Sequence, residues 1–499
     1  MKDEPQSYRA IALRGAAATG AAQVCRILLQ IATTLALSRL LEPSDFGVVA
    51  MVIPSVHLVG LLQEFGIQQA LIQARNLSET QISRMFWINL VLSTTVVALL
   101  LPLGPLMGWF YGDPRVVAIT MAWSLPALTT SVATHHLSLL NRNLKFETLA
   151  IIDVAVSVTT FLVTLVAAGM LRSYWALWIS AWSGSIVMFV LASGATQWRP
   201  SHPRLHAQTR HLMRFALHIT GSNIMNFLSQ NSDNILIAKL FGSKAVGLYD
   251  MSYKIFLLPI SQINAPLGRV MKPILGRLTD DPHRYRETYL TAAAASTWLI
   301  VPGISALAIV SSDFVPLLLG EKWAAAAPIF AWLGVAGLSQ PLASTAGWLF
   351  ITQHRTGEML RWSSFSAAST IASFLVGIPW GVAGMAASYA LGNLLLRMPL
   401  LFLVVGRHGP VSSRDLLRVQ MPMLASAVLS FGVLRLFADR FSPAPWTMVV
   451  CAIAISYALA GTFIVMQRSN RRLLAALVKF PIDWLRERKT SRASGASTF

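Results

Sequence analysis

The sequence has little charge and few cysteines for its length. Lysine, arginine, aspartate and glutamate make up 12% of its 499 residues, against roughly 25% in soluble globular proteins. The 2 cysteines, Cys25 and Cys451, both fall within apolar stretches, which excludes a disulfide framework as the basis of the fold. Because 55% of the residues are hydrophobic, we expect an integral membrane protein.

Several kinds of site are also missing from the sequence. The net charge of +19 is spread over short gaps between apolar runs, so nucleic-acid binding is not expected. No cofactor motif and no metal-ligand spacing is present. The histidines are expected to make helix-packing hydrogen bonds; those within apolar runs are His57, His135, His136 and His218.

Long apolar runs dominate what is there. A helix needs about 20 apolar residues to cross a bilayer, and we count about fourteen candidates. They lie near 15–38, 46–66, 85–110, 116–139, 149–170, 174–195, 215–238, 245–267, 290–318, 324–350, 363–380, 384–405, 420–437 and 446–466. No short apolar stretch with a small-residue cleavage site precedes the first run, which predicts an uncleaved first helix.

The distribution of basic residues predicts the orientation in the membrane. Cytoplasmic loops carry an excess of lysine and arginine, and one alternate set of gaps holds most of the 40. The other set holds only Arg39, Arg115, Arg172, Lys239, Lys244, Lys322, Arg435 and Arg440. Both termini are therefore predicted to be cytoplasmic. The outer gaps are too short for a catalytic domain, so we do not expect an enzyme.

Two apolar segments 200 positions apart carry the same polar pattern. Gln23, Arg26, Gln30 and Thr33 are spaced by 3, 4 and 3 residues, and Asn223, Asn226, Gln230 and Asp233 repeat that spacing. On a helix each set occupies one face, and in lipid such a face must turn toward protein or water. The match continues with Gly47 beside Gly247 and Met51 beside Met251. The duplication predicts two related halves enclosing a polar chamber.

The predicted domains follow from this duplication. Helices 1–6 form an N-terminal lobe over 1–199, a basic cytoplasmic linker covers 200–214, and helices 7–12 form a C-terminal lobe over 215–406. Two extra helices cover 407–467. The basic tail over 468–499 mixes arginines and lysines with leucine, phenylalanine and tryptophan, a composition typical of a helix that lies on an anionic membrane surface.

Five segments together resemble the polysaccharide-transporter family of Wzx type. They are Ser38-Arg-Leu-Leu-Glu-Pro-Ser-Asp-Phe-Gly47, Asn141-Arg-Asn-Leu-Lys-Phe146, Gly247-Leu-Tyr-Asp-Met-Ser-Tyr-Lys254 with Pro266-Leu-Gly-Arg-Val270, Gly347-Trp-Leu-Phe-Ile351, and Gly377-Ile-Pro-Trp-Gly-Val-Ala-Gly384. This family belongs to a superfamily that also contains multidrug MATE antiporters and the lipid II flippase. The resemblance implies a two-lobed all-helical transporter that moves lipid-linked oligosaccharide across a bacterial inner membrane.

Arg26 is the leading candidate for substrate binding. A cation near the middle of a membrane helix costs about 2.5–3.5 kcal/mol, so it requires a partner. One hypothesis is the pyrophosphate that links carrier lipid to sugar; the other is an ion pair with Asp233. Both interpretations place Arg26 at the wall of the chamber, between helices 1, 2, 7 and 8.

The remaining candidates fall into three groups. Lys254 is a candidate for a second phosphate or sugar contact; the alternative is a local ion pair with Asp250, one turn earlier, or a solvated outer vestibule. Arg397 is expected either to bind substrate or to extend to the membrane interface. The amides Gln23, Gln30, Asn223, Asn226 and Gln230 suit sugar hydroxyls. Asp233 and Asp250 are candidates for coupling to a proton or sodium ion, whereas Glu64 and Asp153 are expected to be solvated or gate-forming.

Two other functions are compatible with this chain. A cation-coupled multidrug antiporter of MATE type has the same architecture, although its cavity favours acidic and aromatic residues over Arg26 and Lys254. A non-catalytic component of a polysaccharide assembly complex is the second alternative, with the basic tail as the docking element. Membrane lipids are partners in every case, and a polysaccharide polymerase and glycosyltransferases are expected partners of an exporter.

Overall fold

The computed structural model describes residues 5–64, 78–201, 210–467 and 470–471, with side chains for 19–60, 78–201, 231–467 and 470–471. Regular structure in these ranges is entirely helical, which confirms the predicted fold class. By compactness the chain divides into unit 1, Met1–Asp250, and unit 2, Met251–Phe499.

Unit 1 begins with a long helix and contains eight complete helices among the described residues. They are α1 (Pro5–Leu40), α2 (Pro43–Glu64), α3 (Glu79–Ala98), α4 (Leu100–Tyr111), α5 (Arg115–Ala122), α6 (Ser124–Arg142), α7 (Phe146–Leu171) and α8 (Trp175–Thr196). The helix α9 (Arg210–Arg277) starts in unit 1 and ends in unit 2.

Unit 2 continues with shorter and more broken helices. They are α10 (Pro282–Ile309), α11 (Ser311–Leu319), a 3-10 turn (Glu321–Ala326), α12 (Ala327–Gly337), α13 (Gln340–Thr352), α14 (Thr356–Gly377), a second 3-10 turn (Ile378–Trp380), α15 (Gly381–Leu391), a π-helical segment (Gly392–Arg397), α16 (Met398–Gly406), α17 (Ser413–Phe441) and α18 (Pro445–Met466).

Polar side chains fix where two of these helices begin. Ser78 starts α3 by accepting from the backbone N–H of Gln81, whose side chain accepts in turn from the N–H of Ser78. Ser412 and Asp415 form the same reciprocal pair at the start of α17. These bonds satisfy N–H groups that the first turn of a helix leaves without intrahelical partners.

The core of unit 2 is mainly apolar, and two of its buried tyrosines form hydrogen bonds with threonines. Its largest cluster of buried residues includes Tyr285 and Tyr289 of α10. Their hydroxyls bond to Thr352 at 2.6 Å and to Thr345 at 3.3 Å. Hydroxyl pairs of this kind let polar residues be buried without leaving an unmet donor or acceptor.

Ten helical stretches of the described chain are long and apolar enough to cross a membrane, or eleven if the bent pair Glu321–Gly337 and Gln340–Thr352 is one span. The predicted runs at 215–238 and 245–267 both lie in α9. Those at 363–380 and 384–405 share the stretch Thr356–Gly406. The protein is therefore a multi-pass membrane protein, and the total of about fourteen crossings stays a prediction.

The stretch Thr356–Gly406 folds back on itself at its 3-10 turn, Ile378–Trp380. On either side of the turn the rings of Phe374 and Tyr389 stack with centroids 5.2 Å apart. A Cβ atom on Gly377 would lie 2.5 Å from the carbonyl oxygen of Gly384, so the two backbones touch. The apolar pattern therefore places the division between two helices correctly at this turn.

The predicted lobe boundaries differ from the boundary between the two compact units. The sequence places the join at 200–214, whereas the chain passes from one compact unit to the other within α9, between Asp250 and Met251. Residues 202–209 of the predicted linker, and most of the tail over 468–499, lie outside the described residues. The lobes over 1–199 and 215–406 and the extra pair over 407–467 stay predictions.

The close contact at Gly377 generates a stability prediction. Gly377→Ala inserts a methyl group into a filled space, and overpacking of this kind costs about 1–3 kcal/mol. We expect a lower midpoint of thermal unfolding for the purified variant in detergent.

Gly357→Ala is the matched control because it changes the same helix at a site with no other heavy atom within 4 Å. Alanine is favoured over glycine inside a helix by roughly 0.5–1 kcal/mol, so this midpoint should stay level or rise. Equal midpoints for the two variants would contradict the packing described at Gly377.

Candidate functional site

The first polar stripe lies on α1, and its cation is exposed. Arg26 donates from Nη2 to Oε1 of Gln23 over 2.5 Å, one turn earlier on the helix. Gln30 is exposed beside them, and Gln23 is half-buried. The hydroxyl of Thr33 is satisfied by its own helix, since it donates to the carbonyl of Leu29 at 2.7 Å. The stripe therefore presents one guanidinium flanked by amides.

Asp153 on α7 is an acidic neighbour that sequence reasoning missed. α7 packs against α1 within unit 1, and the carboxylate of Asp153 interacts electrostatically with the guanidinium of Arg26. The sequence predicts Asp153 only as a solvated or gate-forming residue, because no spacing rule joins residues on two separate helices. An opposite charge nearby lowers the cost of keeping Arg26 ionised within a membrane protein.

The second stripe is only partly described. The side chains of Asn223, Asn226 and Gln230 lie outside the described residues, so their sugar-binding role stays a prediction. The last member of the stripe, Asp233, is described and is buried, with 7% of its surface exposed.

Asp233 is held by hydrogen bonds rather than by a cation. Its Oδ2 accepts from the hydroxyl of Tyr249 at 2.9 Å, and its Oδ1 accepts from the backbone N–H of Asn234 at 2.8 Å. Arg26 and Asp233 thus have different partners, and the ion pair considered from the sequence is not formed. Asp250, also buried at 8% exposure, interacts electrostatically with Asp233.

Two buried carboxylates in one neighbourhood constrain each other. Both cannot stay ionised cheaply in a medium of low dielectric constant unless a proton or a metal cation lies near them. The hydroxyl of Tyr249 supplies a donor to Asp233, which stabilises its ionised form. A buried acidic pair is the kind of group that binds a small cation, and the role of Asp233 and Asp250 in ion coupling stays a prediction.

Lys254 follows Asp250 by one helical turn on α9 and is exposed. Spacing of four residues on a helix is suited to an acid and a base. Its role as a second substrate contact stays a prediction.

Arg397 differs from Arg26 in being fully enclosed. It ends the π-helical segment and is 4% exposed. Its Nη1 donates to Oγ1 of Thr370 at 2.6 Å, its Nη2 to the carbonyl of Tyr389 at 2.9 Å and its Nε to Oδ1 of Asn393 at 3.3 Å. The guanidinium also lies over the ring of Tyr389, 4.8 Å from the centroid, a favourable cation–π geometry.

The expectation that Arg397 extends to the membrane interface is therefore wrong. The π-helical segment turns its side chain inward, where carbonyl, hydroxyl and amide oxygens receive all three nitrogens. Sequence spacing gave no signal for this, because a π-helical turn changes which residues share a helix face.

The histidine prediction is confirmed at one position. His136 and Thr196 form a side-chain hydrogen bond of 2.9 Å between α6 and α8. Around it the rings of Phe86, His135 and Trp198 pack edge to face. In the part of the chain that the structure describes, no three metal-binding side chains are grouped.

The fold resembles that of two solved transporters. The structure titled lipid II flippase MurJ, inward closed conformation, superposes with a TM-score of 0.71 at 12% identity, covering 93% of this chain and 100% of that one. An inward-facing multidrug resistance MATE family transporter superposes with a TM-score of 0.56 at 13% identity, covering 80% and 95%. At these identities the likeness concerns the fold.

Comparison of the sequence identifies the family more specifically than the likeness in fold does. The lipopolysaccharide biosynthesis protein WzxC of Escherichia coli (strain K12) is 25% identical over 398 residues, 79% of this chain and 80% of that protein. The teichuronic acid biosynthesis protein TuaB of Bacillus subtilis (strain 168) is 24% identical over 441 residues, 86% and 90%. The family described as polysaccharide biosynthesis protein matches residues 36–328, more than half of the sequence. The chain belongs to this polysaccharide biosynthesis family.

Proposed function

We propose that this protein translocates lipid-linked oligosaccharide or polysaccharide units across a bacterial inner membrane by alternating access. Its family, the names of its relatives and a fold shared with a lipid II flippase support this function. The observation that carries it is the exposed guanidinium of Arg26 on a membrane helix, flanked by amides. Both termini are cytoplasmic in this proposal, as the basic residues indicate.

Arg26 binds the pyrophosphate between carrier lipid and sugar. A guanidinium donates two parallel hydrogen bonds to an anionic oxygen pair, and Gln23 holds one edge of it in place. Gln30, exposed on the same face, binds sugar hydroxyls together with Asn223, Asn226 and Gln230 of the second stripe. Lys254 adds a second positive charge for the head group.

Asp153 makes binding reversible. Its carboxylate offers Arg26 an alternative partner when no substrate is present, so the guanidinium does not remain uncompensated. Substrate phosphate competes with this carboxylate for the same charge. A bound ligand that had no competitor would be released slowly, because release would leave an unpaired cation in the membrane.

Asp233 and Asp250 couple transport to an ion gradient. They are buried and interact with each other, and Asp233 accepts a hydrogen bond from the hydroxyl of Tyr249. Uptake of one proton or sodium ion compensates one of the two negative charges, and its release restores the repulsion. The two states of charge favour different conformations of the surrounding helices.

Arg397 supports the structure instead of contacting substrate directly. Its donors are bound to three protein oxygens within unit 2, and a ligand would have to displace them. In this proposal it holds the π-helical segment in register.

Glycosyltransferases and a polysaccharide polymerase act before and after the transporter, as partners of the pathway.

The role of Arg26 predicts a loss of transport. Proteoliposomes holding the Arg26→Ala variant should move a pyrophosphate-linked oligosaccharide at less than about a tenth of the native rate, because the variant loses a charge-assisted contact worth about 1.5–3 kcal/mol. Arg361→Ala, which removes an exposed arginine of α14, should move it normally.

The same assay distinguishes the antiporter. Native protein that expels lipophilic cations while leaving the glycan in place would establish the MATE-type alternative. Unchanged glycan transport by Arg26→Ala would remove this residue from the proposal.

The acidic pair predicts a loss of coupling without a loss of translocation. Asp233→Asn keeps the size of the side chain but fixes it as neutral, so an imposed proton or sodium gradient should no longer accelerate transport. Exchange of substrate at equal concentrations should continue. Asp280→Asn, in an exposed turn, should respond to the gradient as the native protein does, and an unaltered response of Asp233→Asn would exclude it from coupling.

Substitution of the two arginines should affect the stability of the protein to different extents. Arg397→Met removes three hydrogen bonds from a charged donor, each contributing about 1.5–3 kcal/mol, so the unfolding midpoint of the purified protein should fall by several degrees without any ligand. Arg26→Met removes one exposed hydrogen bond and should change the midpoint little. A larger fall for Arg26→Met than for Arg397→Met would reverse the roles assigned here.

A further inference from the structure

Two glycines of unit 1 bring separate backbones into direct contact. A Cβ atom on Gly47 of α2 would lie 1.7 Å from the carbonyl oxygen of Ser243, and one on Gly247 of α9 would lie 1.9 Å from the carbonyl oxygen of Pro43. Real Cβ atoms do not approach so closely, so only glycine fits at either position. We call this contact of Pro43 and Gly47 with Ser243 and Gly247 the glycine crossing.

The glycine crossing is reciprocal. Gly47 and Gly247 occupy equivalent places in the internal duplication, and so do Pro43 and Ser243. Gly47 meets the residue equivalent to Pro43, while Gly247 meets Pro43 itself. Contacts that are exchanged in this way characterise an interface with two-fold symmetry. The two repeats therefore cross at equivalent points, with small residues four apart as in closely packed membrane helices.

Polar contacts stabilise the α9 side of the glycine crossing. Arg115 donates to Oγ of Ser243 at 2.9 Å and forms an ion pair of 2.6 Å with Asp113. Hydrogen bonds from Arg115 hold the pKa of the Asp113 carboxyl below its ordinary value. Lys239 donates to the carbonyl of Phe110 and lies 4.9 Å from the centre of its ring.

The backbone of α9 is broken beside the crossing. Gly242 has φ 79° and ψ −176°, a conformation that is essentially restricted to glycine. Because of this break, the part of α9 after Gly242 can lie against α2 in a direction different from that of the part before it. It also supplies a point about which that segment can turn without bending a regular helix.

The basic residues near the glycine crossing indicate on which side of the membrane it lies. Arg115 and Lys239 belong to the sparse set of cations that the charge distribution assigns to the outer face. The crossing contains no side chain longer than a proline or serine at its contact points, so it leaves no gap between the two backbones.

We propose that the glycine crossing closes the outer side of the substrate chamber and must separate when the chamber opens outward. This inference rests on the proposed function, because a chamber with alternating access is what the crossing would close. The proposal also predicts the same effect at Gly47 and Gly247, because a methyl group added at either glycine prevents closure. Both variants should hold the protein open to the outside.

Thiol labelling tests this directly. Gln30→Cys, placed in a Cys25→Ser and Cys451→Ser background, reports access to the polar face of α1. In right-side-out vesicles, a membrane-impermeant thiol reagent should label this cysteine several-fold faster when Gly47→Ala or Gly247→Ala is added, and to the same extent for both. Gly60→Ala on α2 and Gly276→Ala on α9 are matched controls, with no other heavy atom within 4 Å, and should label at the parent rate.

A second variant covers failure of the glycine variants to reach the membrane. Arg115→Met removes the bond to Ser243 without adding an atom at the crossing, and should raise outside labelling in the same direction by a smaller factor. Rates equal to the parent for both glycine variants, or for Arg115→Met if they are not inserted, would overturn the proposal. Labelling needs no substrate, so faster labelling of the glycine variants, together with an absence of glycan transport by the native protein, would refute the proposed function while supporting the closure.

Discussion

The protein depends on how a membrane helix accommodates a positive charge. Lipid offers no hydrogen-bond partner, so each guanidinium within a span must find one in protein, water or ligand. Arg397 finds three oxygens and an aromatic ring of its own unit. Arg26 has the amide of Gln23 and an electrostatic interaction with the carboxylate of Asp153. This difference is the reason for proposing a structural role for Arg397 and ligand binding for Arg26.

The duplicated stripe acquires different chemistry in its two copies. Where α1 carries Arg26 and Thr33, α9 carries Asn226 and Asp233. A cation in one repeat suits an anionic cargo, and a buried carboxylate in the other suits a small positive ion. Gly47 and Gly247, by contrast, are the same residue in both copies, and each fits into a space that no side chain can enter. The duplicated segments therefore share the glycine contact and differ at their polar positions.

The sequence predicts the structure best where a feature depends on residues within a single helix. Apolar length and the spacing of charges predict the helices, the turn at Ile378–Trp380 and the exposed face around Arg26, because these depend on residues close together in the chain. Contacts between helices were not predictable in this way. Asp153 beside Arg26, Tyr249 on Asp233 and the cage around Arg397 all depend on packing, and the last depends on a π-helical turn that has no spacing signature.

Binding of an anionic ligand at Arg26 is the central claim, and an equilibrium measurement tests it without transport. The affinity of purified protein for a pyrophosphate-linked oligosaccharide is compared with that for the same glycan on a neutral lipid. Native protein should prefer the pyrophosphate by roughly tenfold or more, about 1.4 kcal/mol, and the variant lacking the guanidinium at position 26 should show no preference. Equal affinities in the native protein, or an undiminished preference in the variant, would contradict the account.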